Sequence, residues 1–216
     1  MADLPKTRWE TGDTSGYAPR FLKLIEEGAD IVGEARLADV LAKRGSTILD
    51  AGAGIGRIGG ELLRRGHTVV GAEKDESLVA IAAERFPDLP MVTTDLLALT
   101  PELLSEQGLP TSYDLVVLVG NVIVLIAPDT EQRLLAGLRN LLTSDGRILV
   151  GFHPIGGHGS ARTYPFDEFA ADAAAVGLTV QYRFGTYELD PPSEEYVVAV
   201  LARADRDKSH GASPTN

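Results

Sequence analysis

A doubly wound α/β domain is predicted for this 216-residue chain from three features. Short apolar runs alternate with stretches of helical spacing from Thr47 to Phe152. Several of those runs carry no polar alternation. The first of them runs straight into a glycine-rich turn. Strands alternating with helices make βαβ units, and strands covered on both faces read as continuous apolar runs. The expected architecture is a mostly parallel seven-stranded sheet with helices on both faces. Its last two strands form an antiparallel hairpin, and a helical extension precedes it.

Taken in order, the stretch up to about Thr14 is polar and poorly periodic. Pro19 is placed to open a helix with Phe21, Leu24 and Ile25 on one face, and a second helix runs through Leu37, Val40 and Leu41 to Gly45. Thr47 to Asp50 reads as the first strand. Ile55, Ile58, Leu62 and Leu63 follow at helical spacing and stop at Gly66. Thr68 to Glu73 is the second strand; Leu78, Val79, Ala82 and Phe86 give a helix closed by Pro87. Met91 to Thr94 and Tyr113 to Val119 are the third and fourth strands. Leu134, Leu135, Leu138, Leu141 and Leu142 make a helix face, ended by a turn at Ser144-Asp145-Gly146, and Arg147 to Phe152 is the fifth strand. Phe166, Phe169, Ala170 and Ala173 form a last helix, ended near Gly177. Leu178 to Phe184 and Tyr196 to Leu201 then follow with no helix between them, which predicts the closing hairpin.

Composition narrows the function. The chain is 44% hydrophobic and 24% charged, with a net charge of −11. A nucleic-acid partner is not expected, because a phosphate backbone is gripped by basic patches and no Lys/Arg-rich run is present. There is no cysteine, which excludes disulfides, thiolate nucleophiles and Cys-ligated zinc. The four histidines have no close ligand spacing, so no metal site is expected. Leu115 to Ala127, the longest apolar run, is interrupted by Gly120 and Asn121 and is shorter than the roughly 20 residues of a membrane span. The N-terminus lacks a secretory apolar core. The expectation is a cytoplasmic protein with no membrane partner.

The chemistry concentrates in Ile48-Leu49-Asp50-Ala51-Gly52-Ala53-Gly54-Ile55-Gly56-Arg57. Here a strand ends in an acid and a glycine turn opens a helix, whose free N–H groups suit a carboxylate or phosphate. Asp50 suits an ammonium group, and together they fit the zwitterionic end of an amino acid such as methionine. Glu73 ends the second strand, where an acid accepts hydrogen bonds from ribose hydroxyls. Asp95 ends the third and is placed to meet an adenine amino group. Each acid read alone is equally a helix cap; jointly they face one crevice.

Leu49-Asp50-Ala51-Gly52-Ala53-Gly54-Ile55-Gly56 resembles the first motif of class I S-adenosylmethionine-dependent methyltransferases. Val70-Gly71-Ala72-Glu73 resembles their second motif, Thr94-Asp95-Leu96 the third, and Tyr113-Asp114-Leu115-Val116-Val117 the strand of the fourth. Leu142-Thr143-Ser144-Asp145-Gly146-Arg147 resembles the turn before the fifth strand. The resemblance covers about residues 46 to 200 and implies methyl transfer from S-adenosyl-L-methionine, leaving S-adenosyl-L-homocysteine. It implies a cofactor site of Asp50, Ala51, Gly52, Gly54, Arg57, Glu73, Lys74, Asp95, Leu96, Gly120, Asn121 and Val122. Arg57 is read either as reaching the cofactor or as a solvated helix residue. The implied division is an N-terminal helical cover over 1–45, a Rossmann-like cofactor domain over 46–203 and a disordered tail over 204–216.

A competing register, Gly54-Ile55-Gly56-Arg57-Ile58-Gly59, fits the dinucleotide fingerprint of nicotinamide and flavin oxidoreductases. Asp50 would repel a pyrophosphate there, and the first glycine does not come directly off the strand. A non-catalytic regulatory domain of the same fold is a further alternative. Gly120-Asn121-Val122-Ile123 lacks the Pro-Pro-Tyr element of enzymes that methylate base amino groups, which points to a small-molecule acceptor. His153 and His158 flank a glycine-rich loop after the fifth strand, and either can serve as a general base or be a solvated loop residue. Tyr17, Arg20 and Phe21 precede the core, and Tyr164 lies in a loop on the crevice side. All four are candidate acceptor contacts, while Phe21 reads equally as packing. Glu34 is placed near the cofactor. Oligomeric state stays open.

Overall fold

The computed structural model describes residues 4–155 and 160–205. Strands β1 (Thr47–Ala51), β2 (Thr68–Glu73), β3 (Met91–Thr93), β4 (Tyr113–Leu118), β5 (Leu142–Phe152), β6 (Leu178–Phe184) and β7 (Val197–Arg203) form a seven-stranded sheet among the described residues. Its order is β3-β2-β1-β4-β5-β7-β6. The pairings from β3 through β5 are parallel, and β7 pairs antiparallel with both β5 and β6. The chain runs outward from β1 through β2 to β3, then crosses to β4 on β1's other side. That reversal makes the carboxyl ends of β1 and β4 the switch point where an open α/β sheet takes its ligand.

The helices are α1 (Arg8–Thr11), α2 (Tyr17–Glu26), α3 (Gly33–Leu41), α4 (Arg57–Arg64), α5 (Glu76–Arg85), α6 (Pro101–Glu106), α7 (Val122–Leu125), α8 (Glu131–Asn140) and α9 (Phe166–Ala175). Successive strand residues point to opposite faces, so each apolar run serves two cores. Ile48, Leu115, Val117 and Leu149 meet Ala35, Leu37, Ala38, Ile58 and Leu62 from α3 and α4. Leu49, Val116 and Val150 meet Leu134, Leu135, Leu138, Phe169 and Ala173 from α8 and α9. Each large side chain buried this way contributes about 1.5–3 kcal/mol, which fixes the strand ends that carry the crevice.

Several elements differ from the sequence expectation. Helix α1 lies in the stretch read as irregular; Thr7 and Glu10 close it with a reciprocal capping box. Ser144-Asp145-Gly146 is not a turn. β5 starts at Leu142 and carries these residues through a register shift, with Tyr113 opposite Leu142 but Leu115 opposite Arg147. A Cβ on Gly146 would stand 2.8 Å from the Tyr113 carbonyl, so the strand takes this path only with glycine there. Val40 is exposed rather than in the helix face, because α3 buries Ala35, Leu37 and Ala38. Helix α7 sits inside the long apolar run. Most of the tail expected to be disordered, residues 206–216, lies outside the described residues, as does the loop 156–159 with His158.

Candidate functional site

The turn after β1 is built by left-handed glycines. Gly52 has φ +80° and Gly54 φ +55°, conformations that only glycine adopts freely. The N–H groups of Gly52 and Ala53 both donate to the Ala72 carbonyl of β2, at 2.8 and 3.1 Å, which fastens the turn to the neighbouring strand. A Cβ on Gly52 would meet Val122 Cγ2 at 2.5 Å, and one on Gly54 would meet the Tyr17 hydroxyl at 2.6 Å. The turn is therefore pressed between α7 on one side and α2 on the other.

The crevice beside it holds about 860 Å³ of space, its solvent-open mouth included. Asp50 stands at its inner end, 2% exposed. One carboxylate oxygen accepts the Gly59 N–H of α4 at 2.8 Å. Burial pushes the carboxyl up to about 7, against the help of that hydrogen bond and of Arg57. Glu73 is 8% exposed and accepts the N–H groups of Gly54, Lys74 and Asp75 at 3.0, 2.8 and 2.9 Å. Burial raises its pKa as well. Asp95 caps the 3-10 turn Leu96–Ala98 through the Leu97 N–H and accepts from Lys74 Nζ at 2.9 Å. Leu96, Leu97, Leu125 and Ile126 supply apolar wall beside it.

Thr7, Trp9 and Tyr17 close the crevice from above. The Trp9 and Tyr17 rings meet edge to face, with centroids 5.3 Å apart. Trp9 Nε1 donates to Asp75 at 3.1 Å, and Lys74 Nζ donates to Glu10 at 2.6 Å. The Lys74 ammonium holds the Glu10 carboxyl down to about 2.

These features fit S-adenosylmethionine. A cation beside buried Asp50 would stabilise its carboxylate, a glycine cradle admits close backbone approach, Glu73 on the wall can accept from hydroxyls, and an apolar wall with Asp95 suits a purine. A family model described as a methyltransferase domain matches residues 49–148. A solved TehB-like SAM-dependent methyltransferase from Corynebacterium glutamicum is 38% identical, with 88% of this chain and 97% of that one covered and a TM-score of 0.76. This chain belongs to the S-adenosylmethionine-dependent methyltransferases. The magnesium protoporphyrin IX methyltransferase of Synechocystis, solved with bound SAM, shares the fold at 19% identity and a TM-score of 0.61, over 79% of this chain and 76% of its own. So does the Burkholderia thailandensis 1,6-didemethyltoxoflavin-N1-methyltransferase, at 20% identity and 0.62, over 95% and 93%. No curated protein sequence matches the chain. The enzyme's cofactor is S-adenosylmethionine, which sets aside the nicotinamide, flavin and non-catalytic alternatives.

In this methyltransferase the crevice wall contains Asp50, Gly52, Gly54, Arg57, Glu73, Lys74, Asp95, Leu96, Gly120 and Val122 of the predicted cofactor set. Ala51 lies beneath in β1, and Asn121 lies behind, at φ 72°, its Oδ1 accepting the His153 backbone N–H at 2.8 Å. Arg57 is not a solvated helix residue: it is buried and paired with Glu34. Of the acceptor candidates, Tyr17 reaches the wall, while Phe21 packs between Tyr17 and Arg57. Arg20 is exposed and off the wall. Tyr164 is corrected to a core residue. It is fully buried against Phe152 and Phe169, and its hydroxyl donates to Asp172 at 2.6 Å. His153 is also off the wall, its ring Nδ1 3.1 Å from Asn121 Oδ1 and its ring edge-on to Tyr196. Glu10 was missed, although Thr7-x-x-Glu10 is a capping-box signature in the sequence. Among the described residues no metal-binding cluster of acids and histidines occurs, and no helix is long and apolar enough to cross a membrane.

The raised pKa of Asp50 is expected to make cofactor binding pH-dependent. Below pH 7 the free enzyme holds Asp50 protonated, whereas an ammonium beside it favours the carboxylate, so binding there releases a proton. Affinity for S-adenosylhomocysteine is expected to rise from pH 6 to 7 by at most about tenfold per unit and then level off. Asp50→Asn should bind weakly without that slope. Calorimetry in buffers of different ionisation heat measures both, and a pH-independent wild-type affinity would remove the ammonium from Asp50.

Proposed function

We propose that the enzyme passes the methyl group of S-adenosylmethionine to a small-molecule acceptor by in-line displacement, with residues 1–45 as a cover on the cofactor domain of residues 46–203. The observation that carries this reading is the roof of Thr7, Trp9 and Tyr17 over the crevice. Such a roof favours a molecule of modest size over a nucleic-acid strand or a folded protein. Both cations of the described wall are already paired, Arg57 with Glu34 and Lys74 with Glu10 and Asp95, so none is left for a phosphate backbone. The Burkholderia enzyme, solved with 1,6-didemethyltoxoflavin and S-adenosylhomocysteine, supports an acceptor of that scale on this fold.

When bound, the cofactor supplies an electrophilic sulfonium methyl. The residues of the chain hold and align. Asp50 and the α4 N-terminus orient the amino-acid end, Glu73 the ribose, and the roof excludes water, so proximity and desolvation carry the rate. His153, engaged with Asn121, is better placed to fix the turn after β4 than to take a proton. Incubation with S-adenosylmethionine and panels of small amines, phenols and thiols, read as S-adenosylhomocysteine formed, tests the reading. Turnover confined to RNA, DNA or protein would overturn it. With an acceptor in hand, His153→Ala is expected to keep the acidic limb of the pH–rate profile and to lose less than the roughly 10²–10⁴ of a general base. A vanished limb would restore His153 as the base.

A further inference from the structure

Arg57 opens α4 directly after the glycine turn, yet its guanidinium is committed to the roof. Nη1 donates to Glu34 Oε2 of α3 at 2.9 Å and to the Ile31 carbonyl, and Nη2 donates to Glu34 Oε1. Its Cζ lies 4.7 Å from the centre of the Phe21 ring in α2. Phe21 packs on Tyr17 with centroids 5.0 Å apart, and Tyr17 packs in turn on Trp9. A single run of contacts thus leads from the cofactor turn through α3 and α2 to the crevice rim. Both side chains of the pair are largely withdrawn from water, at 8% and 14% exposed, so each charge needs the other. Glu34 does not line the crevice and reaches the site only through Arg57. The ion pairs of Arg36 with Asp30 and Glu188, on the same α3, are exposed by contrast.

We propose that the Arg57–Glu34 pair is a positioning device that couples the cofactor turn to the roof. Arg57, held in a two-pronged grip by Glu34, fixes α2 so that Tyr17 and Trp9 lie over the crevice, and cofactor binding and roof closure stabilise each other. The inference rests on cofactor binding in this crevice and is independent of the acceptor's class.

Trp9 is the single tryptophan of the chain and lies in the roof, so it reports closure directly. S-adenosylhomocysteine is expected to shield Trp9 of the wild type from acrylamide quenching. Glu34→Gln keeps the shape and loses the charge. It is expected to bind S-adenosylhomocysteine about tenfold more weakly, an ordinary size for coupling between sites, and to leave Trp9 quenchable at saturation. Arg57→Lys keeps the charge and loses the planar fork, and should behave alike. Glu188→Gln, a change at an exposed pair, should match the wild type. A merely structural role for the pair would lower the thermal midpoint but leave Trp9 shielded in the saturated variants. Folded variants, judged by circular dichroism, that shield Trp9 normally and bind within about twofold of wild type, below any coupling of this kind, overturn the proposal. Should Glu34→Gln not fold, Arg57→Lys decides alone. A wild type that fails to bind S-adenosylhomocysteine overturns the cofactor assignment together with the coupling.

Discussion

Glu73→Ala is expected to lose cofactor affinity by about 2–3 kcal/mol, or roughly 30–150-fold, and to lose stability as well. The first loss follows from the place of the carboxylate at the end of β2, on the crevice wall, where ribose hydroxyls can donate to it. The second follows from its three backbone partners, the N–H groups of Gly54, Lys74 and Asp75. Alanine leaves those donors without their acceptor at a buried site, at about 1–3 kcal/mol for an unsatisfied group. The Gly54 contact matters most, because it ties the glycine turn to β2; without it the cradle as well as the ribose contact is disturbed. Because Glu73 is buried, the variant is expected to unfold at a lower midpoint than the wild type. Calorimetry and urea unfolding separate the two effects. A folded Glu73→Ala enzyme with wild-type affinity for S-adenosylhomocysteine would reduce Glu73 to a brace for the turn.

The sheet was legible in the sequence where physics is local. β1 and β2 each have an apolar centre, Ile48-Leu49 and Val69-Val70, entered from a polar residue and followed by an acid, and that pattern alone places their limits to within one residue. β5 was misjudged because Ser144-Asp145-Gly146 has turn chemistry, yet the strand absorbs it by slipping register against Tyr113. The same division holds at the site. Asp50, Glu73 and Asp95 are legible because strand ends in parallel sheets point to one crevice. The fate of Arg57 was not, since its partner Glu34 lies 23 residues earlier and no periodicity links them. Tyr164 looks like a loop aromatic in sequence. Its burial is decided by Phe152 and Phe169, which arrive from a strand and a helix that only the fold brings together. His153 shows the limit most clearly. Its position after β5 suggests a base at the crevice, but Asn121, in a left-handed conformation that the sequence does not announce, draws it behind the wall.

Gly52→Ala is expected to be a strongly damaging single-carbon change. Two costs coincide. At φ +80° an L-residue loses about 1–2 kcal/mol relative to glycine. The new methyl would also stand 2.5 and 2.9 Å from the two Cγ atoms of Val122 and 3.3 Å from its Cβ, so no rotation of that side chain clears it, and overpacking adds about 1–3 kcal/mol. Gly52 and Val122 touch each other at the crevice wall, so relief by moving either one displaces the cradle or the turn after β4. A misplacement of about 1 Å at such a site costs on the order of 100-fold in rate, and a loss of that size in methyl transfer is expected, with weaker S-adenosylhomocysteine binding beside it. The double variant Gly52→Ala, Val122→Ala apportions the two terms. It removes the Cγ contacts but not the backbone strain, so it should recover the overpacking share of stability, about 1–3 kcal/mol, and no more. Full recovery would show that the left-handed conformation is cheap here. No recovery would show that the turn, fastened to Ala72 through the Gly52 and Ala53 N–H groups, is limited by its backbone alone.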